Sequence, residues 1–194
     1  GWVDNPKGMM QLWVPLIGGR LPPAEYVLGI DIATGTGSTM TSNSVISIGN
    51  KWTREKVGEL VTPKLRPDRL AVVANALGLW LSVRDNPAFI IWEHNGPGKT
   101  FGKVLIHELG YSSYYKRKNH DKLGEPSSDM MGWWSGVETK RTVLEQLLSA
   151  YETGHFVNPS VEACEELRHY CYDTDGGISH SQAMTTDDIT GAKK

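Results

Sequence analysis

Hydrophobic positions fall in short blocks along the first half of the chain and at helical spacings further on. Residues 26–33 are an apolar run dense in Val, Ile and Leu, which predicts a strand buried on both faces. Residues 43–49, carrying Val45, Ile46 and Ile48, predict a second strand, and residues 57–62 a third. Three strands in succession predict an antiparallel meander. Pro67 suits the first position of a helix, and Leu70, Val73, Ala74, Leu77 and Leu81 follow at helical spacing. That helix is predicted to end near Arg84, before the break at Asn86-Pro87.

Residues 88–93 read as a short buried strand. Residues 100–109 read as a helix with Val104, Leu105 and Leu109 inward, and residues 114–116 as a fifth strand. The polar stretch 116–129 reads as a loop. Two more helices are predicted, at 139–153 with Gly154 ending it and at 160–170 with Ser160 as N-cap and Glu162 behind it. Residues 173–194 carry no core signal. Residues 1–25 hold Trp2, Trp13, Pro15, Pro22, Pro23 and Gly18-Gly19 without a period, as in an extended lead-in or linker. The expected organisation is a lead-in over 1–25 and one α/β domain over 26–194, with truncation at the C-terminal end left open. The order of elements implies a mixed five-stranded sheet, an antiparallel meander plus parallel strands, with helices on both faces.

Composition narrows the classes. The chain has 194 residues, enough for one domain with a sizeable core. Its net charge of −2 gives no global basic field, so nucleic acid would have to be held by a local patch. Two cysteines, Cys164 and Cys171, suggest a reducing compartment in place of a disulfide framework. No apolar run reaches membrane-spanning length, and a soluble intracellular protein is expected.

Two carboxylates stand out. Asp31 interrupts the first apolar strand and is followed by a Gly/Thr/Ser-rich turn; an ionised Asp there is costly unless something cationic or hydrogen-bonding compensates it. On its own it reads equally as the cap of the next turn. Glu93 ends the strand at 88–93, followed by His94-Asn95-Gly96-Pro97-Gly98. Two buried strands that each end in an acid followed by glycine suggest convergence at one sheet edge, where open α/β sheets bind their ligands. Paired carboxylates there repel each other unless a cation lies between them, and Mg²⁺ prefers such hard oxygen donors.

The strand with Asp31, the segment Phe89-Ile90-Ile91-Trp92-Glu93-His94-Asn95, the segment Leu109-Gly110-Tyr111-Ser112-Ser113-Tyr114-Tyr115, and Gly132-Trp133-Trp134 through Thr139-Lys140 occur in that order. The ordered set resembles the C-terminal nuclease domain of the large terminase subunit of tailed bacteriophages, over residues 26–188. The resemblance implies a ribonuclease H-like fold and a divalent-metal-dependent endonuclease that cuts double-stranded viral DNA during genome packaging. It implies one or two Mg²⁺ or Mn²⁺ ions held by Asp31 and Glu93. It also implies an upstream ATPase domain, a small terminase subunit and a portal as partners, in the host cytoplasm and not at a membrane. The third carboxylate of that pattern matches Asp188, with Asp187 beside it, in Asp187-Asp188-Ile189-Thr190-Gly191-Ala192. Gly191 and the chain end at Lys194 are poor for a packed helix, so the third acid is equally well sought beyond Lys194.

Other readings remain open. Residues 31–38 are similar to the first phosphate loop of actin-like ATPases and sugar kinases, which would make the chain a phosphotransferase. A non-catalytic DNA- or capsid-docking module on a nuclease-like fold is a third class. Gly96-Pro97-Gly98-Lys99-Thr100 imitates a nucleotide loop, but Glu93 stands where that motif needs glycine. Lys99 and Lys103 read instead as contacts to a phosphodiester, and Lys116-Arg117-Lys118 with His120 and Lys122 as the best local basic patch. His180 reads as a solvated loop histidine and Trp133-Trp134 as a packed corner.

Overall fold

The computed structural model describes residues 5, 8–35, 42–118, 129–172 and 178–180. They belong to two compact units, one over residues 1–134 and one over 135–194.

The first unit is built on a mixed five-stranded sheet in the order β1-β4-β3-β2-β5. Its strands are β1 (Met10–Leu12), β2 (Tyr26–Asp31), β3 (Ser44–Asn50), β4 (Glu55–Thr62) and β5 (Phe89–Trp92). β2, β3 and β4 form the expected antiparallel meander, and β2 with β5 is the single parallel pair of this sheet. Helix α1 (Pro67–Trp80) carries the chain from β4 across to β5. It starts at Pro67 as predicted but stops short of Arg84. Val83 and Asn86 pair across a tight turn in which Arg84 (φ 50°) and Asp85 (φ 64°) are left-handed, a backbone that no helix contains.

The fifth strand is not the one expected at residues 114–116. It is β1, within the lead-in, and it pairs antiparallel with the free edge of β4. Three residues are too few to show a period, which hid β1 from the hydrophobic pattern. Tyr114 makes one parallel bridge to Ile90, flanked by Ile90 N–H to Ser113 O and Tyr115 N–H to Ile90 O, each at 2.9 Å. The chain then leaves the sheet as a hairpin, β6 (Lys116–Lys118) against β7 (Asp129–Met131), where a loop was expected.

Register decides which residues meet. Leu28, Ile30, Ile46, Ile48 and Leu60 share one face with Ile90 and Trp92, and all are buried. Against them pack Leu70, Ala74 and Leu77 of α1, together with Phe101 and Leu105 from helix α2 (Gly98–Lys103) and the π-turn that continues it over Val104–Glu108. Each fully buried Leu, Ile or Phe contributes about 1.5–3 kcal/mol, so this face holds the unit together.

The opposite face carries a charged pair. Ile48 pairs with Gly58 but Gly49 with Lys56, so Val57 is an extra residue in β4. The bulge turns Lys56 and Glu59, three apart, onto the same face. Their side chains, each 7% exposed, meet at 2.5 Å, with Lys56 Nζ 5.5 Å from the centre of the Trp13 ring.

The second unit contains α3 (Val137–Glu152), α4 (Val161–Leu167) and a short antiparallel pair, β8 (Tyr170–Tyr172) with β9 (Ile178–His180). The two helices fall where the periodicity puts them. Ser160 caps α4, its hydroxyl accepting from Ala163 N–H at 3.2 Å. The β pair shortens the second predicted helix and gives backbone structure to residues 178–180, which had shown no core signal. No helix among the described residues is long and apolar enough to cross a membrane.

Candidate functional site

Parallel strands run side by side with equal rise, so register alone tells which of their ends coincide. β2 and β5 are paired Val27 with Phe89, Leu28 with Ile90, Gly29 with Ile91 and Ile30 with Trp92. The next residues along the two chains are Asp31, the last of β2, and Glu93, just past β5. Alternation along a strand gives each acid the opposite side from its preceding residue. Ile30 and Trp92 are both buried in the core, and Asp31 and Glu93 are the residues that follow them. Neighbouring strands are about 4.8 Å apart. The two acids therefore occupy equivalent places at the carboxyl ends of the parallel pair.

Each place is fixed by what surrounds it. After Asp31 the chain bends off the sheet, and Ala33 N–H donates to the buried Ser44 hydroxyl at 2.9 Å. Burial of the Asp31 carboxyl raises its pKa, and the Ile32 backbone N–H opposes the shift. A cleft of about 410 Å³ opens here, lined by Asp31, Ile32, Ala33, Thr34, Ser42, Asn43 and Pro97.

Glu93 is held from both sides. On its outer flank, Trp133 N–H donates to Trp92 O at 2.8 Å and His94 N–H to Trp133 O at 2.7 Å, so the returning foot of the β6–β7 hairpin clamps the strand at Glu93. On the core side, Trp92 Nε1–H donates to Gly98 O at 3.1 Å, and the indole packs on Phe101 and Tyr114 with ring centres 5.6 and 5.9 Å away. The loop folds back so closely that a Cβ at Gly98 would lie 1.8 Å from Glu93 O. A Cβ at Gly132, whose φ is 74°, would lie 2.9 Å from the Trp92 indole. Only glycine fits either contact.

His94 follows the acid. Its Nδ1 is buried without a hydrogen-bond partner among the described residues. Burial, then Arg117, then Lys99 lower its pKa, so two cations lie within electrostatic reach. Of the residues singled out by sequence, Asp31 and Glu93 are brought to one sheet edge. Asp187 and Asp188 lie outside the described residues, as do His120 and Lys122. No group of three or more His, Cys, Asp or Glu side chains suited to a metal occurs among the described residues.

The sequence alone did not reveal the packing roles of Trp92 and Gly98, the hydrogen bond to Ser44 or the pairing of Arg117 with Trp134. Gly98 had a signal, since it sits in the loop that imitates a nucleotide motif. There the glycine serves close backbone packing.

The donor set suits a hard divalent ion. Asp31 and Glu93 are hard oxygen donors, and the raised pKa of Asp31 marks a carboxylate that gains from a cation.

No family model matches the chain, and no curated protein matches it. Solved structures do. The large terminase nuclease of thermophilic phage G20c with bound magnesium superposes with a TM-score of 0.65 at 14% identity, covering 90% of this chain and 78% of that one. The same nuclease with bound cobalt gives 0.66 at 15%, covering 96% and 85%. The large terminase nuclease domain of Thermus phage P74-26 gives 0.62 at 14%, covering 95% and 82%. At such identities the likeness speaks for the backbone. The chain thus has the mixed α/β, ribonuclease H-like fold found in phage large terminase nucleases.

Proposed function

We propose that this chain is a divalent-metal-dependent endonuclease that cuts double-stranded DNA during phage genome packaging, as the nuclease part of a large terminase. The observation that supports the reading is the register of β2 and β5, whose last pair is Ile30 with Trp92, so that Asp31 and Glu93 are the next residues along the two parallel strands. The fold shared with terminase nucleases solved with magnesium, cobalt and zinc supports it. Asp31 and Glu93 hold one or two Mg²⁺ or Mn²⁺ ions, and Asp188, Asp187 or an acid beyond Lys194 completes the set.

A divalent ion at such a site supplies positive charge against the phosphodiester and lowers the pKa of bound water. The residues of this chain do the positioning. Trp92 and Gly98 hold Glu93 from the core side, Trp133 holds it from the edge, and Ser44 fixes the exit from Asp31. Nothing in the sequence looks like a base-reading element, and weak sequence preference is part of the proposal. An upstream ATPase domain, a small terminase subunit and a portal complete the working assembly in the host cytoplasm.

Plasmid nicking in Mg²⁺, Mn²⁺ and EDTA, comparing the parent with Asp31→Asn, tests the proposal. Metal-dependent nicking by the parent and its loss in the variant are expected. Retained cleavage in Asp31→Asn removes Asp31 from the chemistry. ATP binding with intact plasmid favours the phosphotransferase reading, and DNA bound but uncut with every metal favours a docking module.

A further inference from the structure

The hairpin β6–β7 has both its feet on the edge of β5. Tyr115 N–H donates to Ile90 O at the entering foot, and Trp133 bonds to both neighbours of Glu93 at the returning one. Gly132 N–H donates to Tyr115 O at 3.0 Å and ties the feet together. Side chains at the base of this hairpin are therefore placed with respect to Glu93 by main-chain bonds.

Two of those side chains are cations laid on aromatic rings. Lys116 Nζ lies 5.5 Å from the centre of the Tyr114 ring, and the Arg117 guanidinium 5.3 Å from that of Trp134. Arg117 also donates to Met130 Sδ at 3.3 Å. Stacking and a soft acceptor orient a guanidinium without using up its charge. Among the described residues no carboxylate pairs with Arg117 or with Lys99. Lys99 is exposed and follows Gly98, the residue pressed against Glu93 O.

The geometry points to Arg117 and Lys99 as a two-point grip on the backbone phosphates of the DNA strand being cut, with Trp134 as the plate that holds Arg117 flat. The inference rests on the nuclease reading for its ligand. Two cations without a carboxylate partner among the described residues, close to an acidic site, match a polyanion whose charges recur along a chain, and the planar fork of Arg117 matches a phosphate's paired oxygens. Arg117 and Lys99 are positioning residues here, since neither is placed at the reacting atoms.

The test is duplex binding without cutting, measured in EDTA by anisotropy of a labelled blunt duplex over a series of NaCl concentrations. Arg117→Ala and Lys99→Gln are each expected to weaken binding about tenfold at fixed salt and to lower the slope of log K against log [NaCl] by about 1, one phosphate contact apiece. Arg117→Lys keeps the charge and is expected to keep the slope while losing part of the affinity. Trp134→Leu is expected to do the same, because the plate carries no charge. Affinity and slope unchanged in both Arg117→Ala and Lys99→Gln would overturn the grip. Lys99→Gln, at an exposed position, decides the matter should Arg117→Ala fold poorly. The two ideas fail separately: a parent that binds duplex but never cuts it with Mg²⁺ or Mn²⁺ sinks the nuclease reading, and a parent that cuts while both neutral variants bind as it does sinks only the grip.

Discussion

Gly98→Ala puts a methyl group 1.8 Å from the carbonyl oxygen of Glu93 and 3.4 Å from Trp92 Cδ1. The second contact is ordinary; the first is impossible. To reach about 3.4 Å the two backbone segments must part by about 1.6 Å, and neither is a free side chain that can swing aside. The loop is tied to Trp92 through Gly98 O and the strand is tied to Trp133, so part of the displacement falls on Glu93. Forced overpacking of this kind costs about 1–3 kcal/mol. For a chain of this size that corresponds to a fall in Tm of roughly 2–4 °C per kcal/mol. The chemical effect is larger than the thermal one, since misplacing a group by about 1 Å costs on the order of 100-fold in rate. Thermal melting by circular dichroism and plasmid nicking in Mn²⁺, run on the same preparation, measure both. A variant that melts lower than the parent yet nicks at the parent's rate would refute the argument that this loop holds Glu93 for catalysis.

Three further perturbations follow from the same structure. Asp31→Asn should raise Tm at neutral pH in EDTA: burial raises the Asp31 pKa, so the ionised form destabilises the fold above the ordinary carboxylate pKa, and the difference from the parent should close as pH falls below about 4. A variant no more stable than the parent at pH 7 contradicts the burial. Tyr111→Phe removes the hydroxyl that donates to Ala88 O at 2.6 Å at the entrance to β5, and leaving that carbonyl unpaired should cost about 1–3 kcal/mol in urea unfolding. Burial also raises the Tyr111 pKa, so its share of stability is complete below about pH 10 and is lost as pH rises further; the parent, and not the Phe variant, should show this alkaline loss. Lys56→Met removes the cation that the buried Glu59 carboxylate meets and should cost about 3–5 kcal/mol, whereas the double variant Lys56→Met, Glu59→Leu should recover most of it.

Much of this was legible in the chain itself. The meander, α1 and β5 follow from apolar runs and helical spacing, because each buries a continuous face and so must repeat with the period of its element. Asp31 and Glu93 stood out for the opposite reason, as charges ending apolar strands. What escaped depends on contacts between distant residues. β1 exists because β4 has a free edge to offer, and the stretch at residues 114–116 gives only one bridge before the hairpin draws it away. The bulge at Val57, which brings Lys56 beside Glu59, leaves no mark in a hydrophobic pattern. Gly98 looked like part of a phosphate loop because glycine is required equally by a ligand or by a neighbouring carbonyl; only the fold shows that the neighbour is Glu93 O.

The most direct test is a crystal of this protein soaked in Mn²⁺ and read by anomalous scattering. An ion bonded at about 2 Å to carboxylate oxygens of both Asp31 and Glu93 is the expected result. Strong manganese peaks elsewhere with none between these two residues, or carboxyl groups turned to opposite faces of the sheet, would contradict it.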